Sequence, residues 1–302
     1  YNVLHGYTSE LDSTLFYGNI TPVNKDRKLA ITINTYGEDV ESVGYKIRSL
    51  EDKSLIENTE VSGYQVTDNK INVTLNIKNL LDTGKEYALE VVLKTKRHDA
   101  VHYYTRIMYG TDYDLQKKLD FVRDFNACTF DSARLKDIGG YLETSSVGDN
   151  TNYGKVNINC SLSQIGWGDL EPYIESEITP EIISINDDVA IIRLDYRVGA
   201  ANDYSSSDTY NVNEYYRIRQ TNSGFYLLNF EREMNQVFDA KNDLTSSAKI
   251  NLGINSSTYV NCTSDEKGIY TYFVNQGSLW CFSSSSQTFT RVFSFRGEET
   301  DS

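Results

Sequence analysis

The sequence predicts a mainly β protein with an α+β middle domain, and three observations carry that expectation. The 302 residues include 23 Tyr and 12 Phe against 3 Pro and 2 Met, and aromatic side chains suit a pleated, half-buried surface. Short apolar runs alternate with polar residues between clusters of Asn, Asp, Ser and Gly, which is strand and turn chemistry. Only after Thr111 does the apolar period lengthen from two to that of a helix. A length of this order suggests two or three domains, placed here at 1–110, 111–245 and 246–302.

Within the first segment, Leu29 to Ile33 alternates, and Val43, Tyr45 and Ile47 fall on one face. Asp68-Asn69-Lys70 reads as a turn into Ile71, Val73, Leu75 and Ile77. Tyr87, Leu89, Val91 and Leu93 form the next face, and Tyr103 to Ile107 the last, with a hairpin tip at His98-Asp99-Ala100. About six short strands at this spacing indicate two stacked sheets.

The stretch Leu75-Asn76-Ile77-Lys78-Asn79-Leu80-Leu81-Asp82-Thr83-Gly84-Lys85-Glu86-Tyr87-Ala88-Leu89-Glu90-Val91 resembles the corner before the penultimate strand of fibronectin type III domains. The resemblance implies a β-sandwich of that or a related immunoglobulin-like kind. It also implies a buried Tyr87 whose hydroxyl returns to upstream backbone. Residues 1–110 lack a Trp, and Thr83 stands where the family commonly has Pro.

In the middle segment, Leu115, Leu119, Val122 and Phe125 recur at helical spacing after a capping-box-like Thr111-Asp112-Tyr113-Asp114. A second short helix is expected over Asp131–Ile138, stopped by Gly139-Gly140. Strands are expected at 155–162, 189–198, 210–220 and 225–231, with tight turns at Asp187-Asp188 and Thr221-Asn222-Ser223-Gly224. Helices followed by a β meander resemble the cone-shaped folds of the nuclear-transport-factor-2-like superfamily. Residues 111–240 hold 11 Lys and Arg against 22 Asp and Glu, most of the chain's net charge of −14.

The last segment is β again. Asn261 to Gly268, the strand Ile269 to Val274, Leu279-Trp280 and Thr290 to Phe295 resemble one blade of the TolB and WD40 propeller classes. That resemblance implies further blades, and Phe273, Leu279, Trp280 and Phe293 are expected to supply its apolar area. A lone sheet of this size must be covered to be stable.

Chemistry is sparse. The only histidines are His5, His98 and His102, so no His-dependent nucleophile site is self-contained beyond residue 110. No metalloprotease, P-loop, hydrolase-elbow or EF-hand motif occurs. His98 and His102 read as a surface pair rather than a metal site. Cys128, Cys160, Cys262 and Cys281 lack metal spacing and read as free thiols, with two disulfides the alternative. Sequons at Asn19, Asn72, Asn159, Asn255 and Asn261 are of a kind that arises by chance in so Asn- and Ser-rich a chain.

The most distinctive stretch is Gly166-Trp167-Gly168-Asp169-Leu170-Glu171-Pro172-Tyr173. Trp167, Asp169, Glu171 and Tyr173 are the candidate ligand-binding residues, with Trp167 either an exposed platform or tucked over the core. Paired carboxylates among Asp169, Glu171, Glu175, Glu177, Asp195 and Glu214 would serve a carbohydrate-active hydrolase. The balance favours a non-catalytic module with no cofactor and no metal, binding a protein or carbohydrate partner or serving a structural role. Acidity argues against nucleic acid. With Tyr1 in first place, a removed targeting or anchoring segment is expected. The chain then reads as an extracellular or cell-surface part of an envelope protein, tied to a membrane only through an anchor outside it.

Overall fold

A computed structural model describes residues 1–110, 113–201, 207–240, 245–246, 249–252 and 261–294. The protein is mainly β, with several sheets, none closed into a barrel. Thr111-Asp112 of the capping-box-like stretch and Phe295, the last residue of the expected strand Thr290 to Phe295, lie outside the described residues.

Strands β1 (Ile20–Val23), β2 (Lys28–Asn34), β3 (Val40–Ser49) and β4 (Leu55–Val61) come first. They are followed by β5 (Gln65–Thr67), β6 (Lys70–Asn76), β7 (Glu86–Thr95) and β8 (Val101–Tyr109). They form a five-stranded sheet ordered β1-β8-β7-β3-β4 and a three-stranded sheet ordered β2-β6-β5. The period-two pattern explains why the two meet. Leu29, Ile71, Val73 and Leu75 of the smaller sheet share one buried cluster with Val43, Tyr45, Ile47, Leu89 and Ile107 of the larger. Tyr87 is 3% exposed, and its hydroxyl accepts the Asp82 N–H at 2.8 Å, the backbone bond expected of it.

Of these strands β4 and β5 are not among those read from the sequence pattern, and neither is β1. It pairs parallel to β8, Ile20 opposite Arg106 through Val23 opposite Tyr109, and makes no pairing with β2.

Helix α1 (Leu115–Thr129) buries Leu119, Val122, Phe125 and Cys128 along one face. Phe125 packs against Tyr216 and Phe230 at 5.6 and 5.4 Å between ring centres. Lys118 on the same helix is fully buried, and its ammonium donates to the carbonyls of Tyr113, Asn186 and Asp187 at 2.6, 2.6 and 2.8 Å.

The expected second helix is a 3₁₀ turn at Leu135–Tyr141 that contains Gly139-Gly140 rather than stopping before them. β9 (Lys155–Asn157) is shorter than expected because the Cys160 N–H turns back to the Asn157 carbonyl. Ser161 then caps the short α2 (Leu162–Ile165). β10 (Tyr173–Ile174), β11 (Thr179–Ile185), β12 (Val189–Ala201), β13 (Ser207–Thr221) and β14 (Gly224–Gln236) follow. Their sheet runs β10-β12-β13-β14-β9, with β11 also on β12.

A two-residue pair, β15 (Thr245–Ser246) and β16 (Lys249–Ile250), precedes a four-stranded sheet of β17 (Cys262–Ser264), β18 (Tyr270–Asn275), β19 (Ser278–Ser283) and β20 (Thr288–Ser294). Phe238 covers one face of that last sheet, with its ring 5.7, 5.0 and 5.6 Å from those of Phe273, Trp280 and Phe289. Phe293 does not join them. A register shift between Leu279 and Trp280 puts it opposite Leu279 on the other face, 53% exposed beside Tyr270, Tyr272 and Val274.

The chain falls into two compact units: 1–126 with 179–194 and 215–230, and 127–178 with 195–214 and 231–302. No helix among the described residues is long and apolar enough to cross a membrane.

Candidate binding site

The Trp-Gly stretch places its indole in the core. Trp167 takes a left-handed backbone (φ 68°) and turns its indole inward, where it is 1% exposed. Its ring N–H donates to Thr129 Oγ1 at 3.3 Å, and the Arg232 guanidinium lies 3.4 Å over the ring. The flanking glycines serve close packing: a Cβ at Gly166 would collide with Leu135, and one at Gly168 with the Tyr153 hydroxyl. Trp167 is therefore a core residue and presents no platform. Asp169, Glu171 and Tyr173 are exposed. Asp169 accepts the Tyr153 hydroxyl at 3.1 Å, while the Tyr173 ring lies over Gly199, where a Cβ would strike it. The four candidates are thus divided between core and surface.

Three more of the six candidate carboxylates have partners within the protein. Glu214 is fully buried, accepts the Tyr196 hydroxyl at 3.0 Å and lies 3.8 Å from the equally buried Arg232. Glu175 accepts from Thr209, and Asp195 from Asn213. His102 is not a surface residue: it is 6% exposed, its Nδ1 2.7 Å from the buried Glu90 carboxylate. Glu90 is also 3.3 Å from Lys46. His98, on the hairpin tip, is exposed. Among the described residues no three His, Cys, Asp or Glu are grouped to hold a metal ion. None of the four cysteines is in a disulfide.

A cavity opens instead at the seam of the two N-terminal sheets. It has a volume of ≈ 490 Å³ and lies between Ile31 and Ile33 of β2 on one side and Leu89, Val91 and Leu93 of β7 on the other, with Tyr103 of β8 beside them. Its origin is topological. Because β1 pairs with β8, β2 is left as the edge of its sheet, and among the described residues no strand closes the seam beside it. Residues 1–4 lie across this seam. They are held there by Asn2, whose side chain donates to the Ile20 carbonyl and to Thr21 Oγ1, both at 2.9 Å, and accepts the Ile182 N–H at 2.8 Å. Ile31 and Ile33 are half-buried and Tyr36 at the rim is 85% exposed, so the cavity reaches solvent.

The lining has no charged side chain. None of its 18 residues is Asp, Glu, Lys, Arg or His, in a chain that is 24% charged. Burial raises the hydroxyl pKa of Tyr1 and of Tyr103 above the usual tyrosine range, so both stay neutral at physiological pH. The cavity can exclude water from an apolar group and orient it through a few hydroxyls. Periodicity showed that Ile31 and Leu93 face inward. That they face a gap follows only from which strands pair. Neither a protein-family model nor a curated protein matches the chain.

Proposed function

We propose that the chain is a non-catalytic binding module whose N-terminal two-sheet unit, an immunoglobulin- or fibronectin-like sandwich, holds an apolar portion of a protein partner at its open seam. The observation that carries this reading is the ≈ 490 Å³ cavity, lined without a charged side chain and within the range of ligand-binding pockets. It also favours protein over glycan. Ile31, Ile33, Leu89, Val91 and Leu93 line it, and aliphatic side chains set against them gain roughly 1.5–3 kcal/mol on burial. The acidic middle segment and the C-terminal blade-like sheet would then be companion modules of a cell-surface protein. The competing hydrolase would need two carboxylates about 5–9.5 Å apart in a cleft, and the deepest candidate, Glu214, is engaged by Arg232 and Tyr196.

The test is titration of the whole chain with the neutral fluorophore N-phenyl-1-naphthylamine. Saturable fluorescence gain, lost on filling the cavity with Val91→Phe, supports the reading. No gain, or a gain that Val91→Phe leaves unchanged, overturns it.

A further inference from the structure

The two N-terminal sheets present four edges, and three of them are protected against further pairing. β1 is four residues long and contains Pro22, β5 is three residues long, and β4 carries the inward-pointing, buried Glu57. These are devices by which proteins blunt sheet edges. β2 carries one edge charge, Lys28 at its first position, and none of the other devices. It is seven residues long, and Leu29-Ala30-Ile31-Thr32-Ile33-Asn34 contains neither charge nor proline.

The direction of its main-chain groups follows from the ladder. At its ends, the Ile77 N–H donates to the Arg27 carbonyl at 2.9 Å and the Thr35 N–H to the Asn69 carbonyl at 2.8 Å. The register between these ends is unbroken, from Lys28 opposite Asn76 to Asn34 opposite Lys70. Hydrogen-bonded and non-bonded pairs alternate in an antiparallel ladder. Residues 27, 29, 31, 33 and 35 therefore turn their N–H and C=O toward β6, and 28, 30, 32 and 34 turn theirs outward. Asp26 takes the Lys28 N–H at 3.2 Å. Ala30, Thr32 and Asn34, all exposed, form a row of outward donors and acceptors about 6.8 Å apart. The side chains of Leu29, Ile31 and Ile33 between them line the cavity.

We infer that β2 is a strand-addition site: an extended, uncharged segment of a partner polypeptide pairs with Ala30, Thr32 and Asn34 as a fourth strand and places alternate apolar side chains in the seam cavity. This rests on the proposed binding role of the cavity and specifies its ligand. Main-chain pairing supplies the affinity and the cavity selects the side chains. A charged residue at an inward position would enter a lining with no charged side chain to partner it and be rejected.

The probe is a capped nine-residue peptide alternating Thr and Val. It should displace N-phenyl-1-naphthylamine from the whole chain and slow amide hydrogen exchange at Ala30 and Thr32 at least tenfold. Thr32→Pro removes an N–H that does not reach β6, a tolerated position for proline. It should weaken the peptide at least tenfold with far-UV circular dichroism retained. Should that variant fail to fold, the exchange measurement on the parent chain decides alone. Displacement of the fluorophore without slowed exchange at Ala30 and Thr32 overturns strand addition and leaves the cavity reading standing, as does fluorophore binding with no peptide binding. Absence of fluorophore binding overturns both.

Discussion

The Tyr87 hydroxyl accepts the N–H of Asp82 at 2.8 Å while its ring is 3% exposed between the two N-terminal sheets. One side chain thus ties the loop entering β7 to the core it packs in. Tyr87→Phe keeps the ring and leaves that N–H without its partner. Chemical denaturation should show a loss of about 1–2 kcal/mol with unchanged slope.

Tyr45 and Glu57 form a second buried pair. The Tyr45 hydroxyl donates to Glu57 Oε1 at 2.6 Å, and Glu57 also accepts from Thr59 and from the Lys78 N–H. Burial, then the bond to Glu57, pushes the Tyr45 hydroxyl well above the usual tyrosine value. A raised pKa means that the folded state holds the proton more tightly. The associated stability is complete below about pH 10 and is lost as pH rises through the folded value. In a spectrophotometric titration, Tyr45→Phe should remove one of the last tyrosines to ionise.

At the acid end, a hydrogen bond from Lys53, followed by those from Thr14, lowers Asp12 to about 2. Bonds from Ser49 and Ser54 lower Asp52 to about 2. Depressed values make the sign opposite: the contribution is present above the ordinary carboxylate range and is lost as pH falls toward 2. Carboxyl NMR titration of Lys53→Met should show the Asp12 midpoint rising while that of Asp52 stays in place.

Glu214→Ala should be among the most destabilising single changes. It leaves the fully buried Arg232, stacked on Trp167, without its carboxylate. Breaking a buried pair in this way costs about 3–5 kcal/mol, read as a fall in thermal midpoint. Lys118→Met removes the donor shared by three main-chain carbonyls and should cost about 3 kcal/mol.

Local pattern carried most of the strands. Alternation placed Val43, Tyr45 and Ile47 and also Leu89, Val91 and Leu93 on inward faces, where they are buried. The turns at 187–188 and 221–224 lie between strands as read. What local pattern did not carry depends on distant partners. β1 has four residues and a proline, and becomes a strand because β8, more than 80 residues later, accepts it. No local pattern marks Lys118 and Arg232 as buried, because their partners are carbonyls 67–69 residues away in sequence, apart from that of Tyr113. Phe293 reads as core until the register shift at Leu279/Trp280 turns it outward. The seam site was illegible for the same reason. Its lining was visible as apolar alternation, and its gap exists because no strand among the described residues pairs with the outer edge of β2.

Chemical-shift mapping of the whole chain with N-phenyl-1-naphthylamine tests the seam site most directly. The largest perturbations should fall on the methyl groups of Ile31, Ile33, Val91 and Leu93 and on the ring of Tyr103, the groups that line the cavity. Perturbations confined to Tyr173, or to the exposed Tyr270, Tyr272 and Phe293, with those methyl groups unmoved, would contradict it.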